Sequence, residues 1–96
     1  MKMTDHQKRL WQNMINLIED YINKKDNEFC NLVGKLEGAL DASDIKDREL
    51  VNRWYDFWTP LEVRRAVEGN NVDRCKVIEE LENMKEFLLE AKNKFI

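Results

Sequence analysis

Residues 54–63 read Trp54-Tyr55-Asp56-Phe57-Trp58-Thr59-Pro60-Leu61-Glu62-Val63, and the way this stretch divides decides how many helices the chain builds. Up to Trp58, apolar residues recur at helical spacing. Leu50, Val51, Trp54, Tyr55, Phe57 and Trp58 share one face spanning roughly −20° to 140° at about 100° per residue. Thr59, Pro60 and Glu62 then form a helix-start signature: a hydroxyl for the N-cap, a proline for the first helical position and a carboxylate for the third. Trp58 before the cap and Val63 at the fourth position suit a hydrophobic staple. The apolar phase also shifts here. Val63, Ala66 and Val67 lie at roughly 160° to 260° on the same scale. A straight helix would leave one of the two sets in water. The stretch therefore predicts a break or sharp kink at 58–60, and Leu61, which keeps the earlier phase, is the residue that favours the kink.

Working outward, Gly69-Asn70-Asn71 ends the segment, glycine being the usual residue just past a helix. The last helix is expected from about Val72 to Lys94. Its residues Val77, Leu81, Met84, Leu88, Ala91 and Phe95 form a heptad seam, and Cys75, Ile78, Leu89 and Ile96 make a partial second stripe. Upstream, Asp41 to Asp47 reads as a connection, with the third helix starting near Asp47. The second helix is expected to start at an Asp26 or Asn27 cap and run to about Leu40, with Phe29, Leu32, Val33, Leu36, Ala39 and Leu40 inward. Gly34 and Gly38 lower its propensity and suggest close approach of a neighbouring helix. The first helix is expected over about residues 5–24, opened by a Thr4–Gln7 capping box and closed by Lys24 and Lys25. Its stripe of Leu10, Trp11, Met14, Ile15, Leu17, Ile18, Tyr21 and Ile22 is broad enough for two neighbours. These elements predict an all-α, single-domain antiparallel bundle of four to five helices over residues 1–96, the fifth being Thr59–Gly69. The expected core includes Leu10, Met14, Leu17, Tyr21, Phe29, Leu36, Trp54, Trp58, Leu81, Leu88 and Phe95.

The 96 residues suffice for one domain, and 43% apolar with 36% charged residues implies a folded chain with a heavily charged surface. Only three Gly and one Pro argue against a turn-rich all-β chain. Net charge is −3, which disfavours general nucleic-acid binding. The acidic excess sits in residues 26–62, with nine acidic and four basic groups. No run of apolar residues is long enough for a membrane span, and the polar start gives no signal peptide, so the expectation is cytoplasmic. In that reducing compartment Cys30 and Cys75 read as small buried hydrophobes.

No set of residues for catalysis emerges. The single histidine, His6, sits beside the terminus and reads as surface. There is no metal motif. The Asp41–Asp47 loop has Ile45 and Lys46 where a calcium loop needs an oxygen ligand and a glycine. Three glycines build neither a phosphate loop nor a dinucleotide fingerprint. The expectation is a protein that is not an enzyme and needs no cofactor or metal.

What remains is binding. The surplus apolar stripes predict an interaction protein, in its simplest version a homodimer sealed by Ile78, Leu89 and Ile96. The aromatic run supplies a second candidate surface, with Trp54, Tyr55 and Trp58 as anchors and Asp41, Asp44, Asp47 and Asp56 as an acidic rim. An acidic inhibitor or immunity-type protein that blocks a basic enzyme is one alternative. A helix-turn-helix-like nucleic-acid binder, turning at Thr59 and presenting Arg64 and Arg65, is another. Those arginines equally suit pairing with Glu62 and Glu68 at helical spacing.

Overall fold

A computed structural model of the chain describes residues 2–23 and 28–95. The helices are α1 Asp5–Ile22, α2 Phe29–Ser43, α3 Arg48–Glu68 and α4 Arg74–Phe95, with a 3-10 turn at Gly69–Asn71. Among the described residues, α1 packs against α2 and α4, and α3 packs against the same two. Cross-links between helices set their directions. Gln7 Nε2 donates to the Ser43 carbonyl at 3.2 Å, Trp11 Nε1 to the Leu88 carbonyl at 2.8 Å, and Trp58 Nε1 to the Val33 carbonyl at 3.0 Å. The Phe57 and Phe87 rings stack between α3 and α4 with centroids 4.9 Å apart. The first two contacts join the early part of α1 to the late parts of α2 and α4, and Tyr55 meets Glu37 while Trp58, further along α3, meets the earlier Val33, so the bundle runs up, down, up, down.

The core follows the predicted stripes. Trp11, Met14, Ile15 and Ile18 meet Phe29, Leu32 and Leu36, with Trp54, Leu61, Leu81, Met84 and Leu88 completing it. Leu10, Leu17 and Phe95, expected inside, are half-buried at its edge. Phe87, outside the heptad seam, is buried because it fills the space between Trp11 and Phe57. The indole N–H of Trp54 lies 3.3 Å from the Met14 sulfur, so each buried indole has a partner, as burial of a polar group requires.

Several helix ends are held by residues distant in sequence. The Thr4–Gln7 capping box forms as predicted, and the Asp47 carboxylate accepts from the Leu50 N–H at 3.1 Å. The expected α2 caps, Asp26 and Asn27, lie outside the described residues, as do Lys24 and Lys25. Asn70 Oδ1, from the 3-10 turn, accepts from the Cys30 N–H at 3.0 Å in the first turn of α2. At the end of α1, Arg74 Nη2 donates to the carbonyls of Tyr21 at 2.7 Å and Ile22 at 3.3 Å. Its guanidinium also lies 4.7 Å from the Tyr21 ring centroid. A cation there opposes the negative end of the α1 dipole.

The structure corrects four expectations. The α2 helix continues past Leu40 to Ser43, because Asp44 closes it in the left-handed conformation (φ 52°), which a short polar side chain tolerates. Gly34 and Gly38 are exposed, with nothing within 4 Å of where a Cβ would sit, so they mark no close helix contact. Cys75 is exposed and Cys30 half-buried, so neither is a core residue, and both are free thiols. Finally, of the break or kink expected at 58–60 it is the break that is absent, since α3 does not end at Thr59. It runs unbroken through Pro60 to Glu68, and Gly69 caps it. Proline removes the N–H that the Asp56 carbonyl would accept, and the loss falls on exposed residues, Asp56 and Pro60, where an unpaired carbonyl costs least.

Candidate functional site

Continuity through Pro60 has a direct result on the helix surface. Leu50, Trp54, Trp58 and Leu61 point into the core from one face of α3. The positions that continue that phase after Leu61 are Arg64, Arg65 and Glu68, all half-buried. The opposite face carries Pro60, Val63, Ala66 and Val67, all exposed. Val63 is 55% exposed and Val67 79% exposed, the most exposed large apolar residues among those described. The last two turns of α3 are thus inside-out: charges turn toward the bundle and valines toward water. With α3 continuous and Val63 mostly exposed, there is no helix start at Thr59 for a Trp58–Val63 staple to serve.

The inward charges are paired. Arg64 binds Glu80 of α4 and lies 3.7 Å from Glu68, and Arg65 donates from Nε to Glu62 at 2.8 Å. The hydrogen bond to Glu80 raises the Arg64 pKa, and the hydrogen bond from Arg65 lowers that of Glu62. These pairs stabilise the charged forms and hold the ends of the side chains against the helix surface. Their locations leave the Val63 and Val67 side uncovered.

Together these residues line an open groove of about 730 Å³, bounded by Tyr55, Asp56, Thr59, Pro60, Val63, Arg64, Val67, Glu68 and Glu80. Tyr55 marks one end. Its hydroxyl donates to Glu37 at 3.3 Å, and its ring packs edge-on against Trp54 and Trp58. Its pKa is raised by burial first and then by the nearby charges of Glu37 and Asp41. The groove floor is apolar and its charged border predominantly acidic.

In comparisons with known proteins, no family model, no curated protein and no solved structure matches this chain.

The residues singled out in the sequence separate in space. Trp54 and Trp58 are buried, with their indole N–H groups used internally, so they support Tyr55 and do not present a surface. Tyr55 and Asp56 line the groove, and Asp41 lies close enough to Tyr55 to act on its charge. Asp44 pairs with Lys46 at 3.1 Å, and Asp47 caps α3, so both serve the loop at the other end of that helix. On α4, Leu89 is 39% exposed and Ile78 half-buried, while Ile96 lies outside the described residues. His6 is exposed, its Nε2 lying 3.2 Å from the Ala42 carbonyl. Among the described residues, no group of three or more His, Cys, Asp or Glu is placed to hold a metal ion. No helix among them is long and apolar enough to cross a membrane. Sequence reading missed Val63, Val67 and Glu80. The signal for the valines was the phase shift itself, and Glu80 carried none, since its role depends on which helix faces Arg64.

Proposed function

We propose that this protein is a non-enzymatic, cytoplasmic interaction module that binds another protein through the outer face of α3. One observation carries the reading: the last two turns of α3 place Val63 and Val67 in water while their charged neighbours are paired on the bundle side. A lone exposed valine is ordinary, but an apolar stripe at i, i+3 and i+7 from Pro60 is the pattern of a helix face that meets a partner. Tyr55 extends it with a ring already ordered by Trp54 and Trp58, which limits the entropy lost on binding. The α4 flank offers less, with one exposed leucine and one half-buried isoleucine among the described residues. Continuity of α3 also weighs against the helix-turn-helix alternative, because its proposed turn at Thr59 lies inside a helix.

Wild-type protein and the Val63→Ser/Val67→Ser variant, used as paired baits, test this reading. A specific partner should be held by wild type and weakened about tenfold or more on the variant, the loss expected from removing a hot spot. Equal retention by both baits, with helix content unchanged, would remove α3 from the interaction.

A further inference from the structure

We infer that the groove on α3 takes a cationic amphipathic helix of a partner protein, and not a second copy of this chain. The inference rests on the docking reading above and adds the chemistry of the occupant. The groove border holds three carboxylates, Asp56, Glu68 and Glu80, against one guanidinium, Arg64. That cation and two of the carboxylates, Glu80 and Glu68, pair with one another, which leaves the border two negative charges in excess and Asp56 outside the pairs. Asp56 has no ion pair among the described residues, and Glu37 adds a further carboxylate beside Tyr55. An occupant with lysine or arginine flanking its apolar residues would complement this border, steering encounter and fixing orientation.

Tyr55 to Val67 spans twelve residue steps of α3, or about 18 Å of helix axis, matching an apolar stripe of three to four turns on a partner helix. A symmetric dimer would bring two copies of the same acidic groove together, and neither copy would bring an uncommitted cation from the border.

The test uses the full chain and two synthetic helical peptides with the same leucine face, one flanked by lysine and the other by glutamate. Binding is followed by the methyl resonances of Val63 and Val67. The lysine peptide should move both resonances, and its affinity should fall several-fold between low and high salt. Asp56→Lys should weaken it about fivefold through reversed charge, with the fold unchanged. Val63→Ser/Val67→Ser should weaken it about tenfold. Equal or tighter binding of the glutamate peptide at the same valines would overturn the cationic occupant and leave the docking face standing. A wild-type dimer that the double valine variant abolishes, with neither peptide moving the methyls, would assign the face to a second copy and overturn the inference. If neither peptide moves the methyls and the chain is monomeric, the inference fails, and the paired-bait comparison then decides the docking reading separately.

Discussion

Replacing Val63 and Val67 with serine should cost far less stability than trimming one core leucine. Fully burying a valine contributes about 1.5–3 kcal/mol. Val67 is 79% exposed, so about a fifth of that range, roughly 0.3–0.6 kcal/mol, is at stake there. Val63 is 55% exposed, which puts roughly 0.7–1.4 kcal/mol at stake. Serine and valine have similar helix propensities, so the backbone adds little. The double variant should therefore lose no more than about 2 kcal/mol, and less where serine keeps part of the packing. Leu61, one turn away in the same helix, is completely buried. Leu61→Ala should cost about 2–5 kcal/mol through lost transfer energy and the cavity left behind. Urea unfolding followed by circular dichroism compares the two directly, with m-values checking that the unfolded ensembles match. A double variant as destabilised as Leu61→Ala would contradict the exposed placement of the two valines. It would mean that the chain breaks at Thr59 in solution and turns its valines inward.

Three further outcomes follow from the same packing. Gly34→Ala and Gly38→Ala should each stabilise the protein by about 0.5–1 kcal/mol in thermal or urea unfolding, since both positions are helical, exposed and open around the new methyl; a loss at either would show an unrecognised contact. Arg74→Ala should cost about 1.5 kcal/mol, because it leaves the Tyr21 and Ile22 carbonyls without their charged donor, and hydrogen exchange should accelerate in the last turn of α1. Unchanged exchange there would dismiss the capping role. Tyr55 should ionise above the ordinary phenol value of 10.0, seen by NMR of labelled tyrosine, and Glu37→Gln should lower its pKa. Because the folded value is raised, the associated stabilisation is complete below pH 10 and disappears as pH climbs through the shifted value.

The bundle was legible because the apolar residues of α1, α2 and α4 repeat at helical spacing and the Thr4, Asp47 and Gly69 caps are local signals. The continuity of α3 was half legible, since Leu61 pointed to one helix through Pro60 while the cap residues pointed to a break. Thr59, Pro60 and Glu62 make a convincing helix start, but a proline also fits inside a helix on its exposed side, where Pro60 and Asp56 lie. Leu61 decided the competition, since a fully buried leucine in the earlier phase outweighs two valines left in water. The caps supplied by Asn70 and Arg74 were invisible because they act across 40 and more than 50 residues of chain. The acidic rim was half legible. Asp41 and Asp56 keep their place near Tyr55, while Asp44 and Asp47 serve the turn, and Glu37 and Glu80 enter only through the three-dimensional pairing of helices.

The N–H of Met3 donates to the carbonyl of Phe95 at 3.2 Å, so the beginning of α1 and the end of α4 meet at one pole of the bundle. Val67 lies near the opposite end of α3, next to the turn that leads into α4. A tag, surface tether or fused domain attached at either terminus would leave from the same pole and keep clear of the valine face. Tension applied between the two ends would draw α1 and α4 apart from that pole, parting their contacts in succession like a zip instead of loading them all at once in shear.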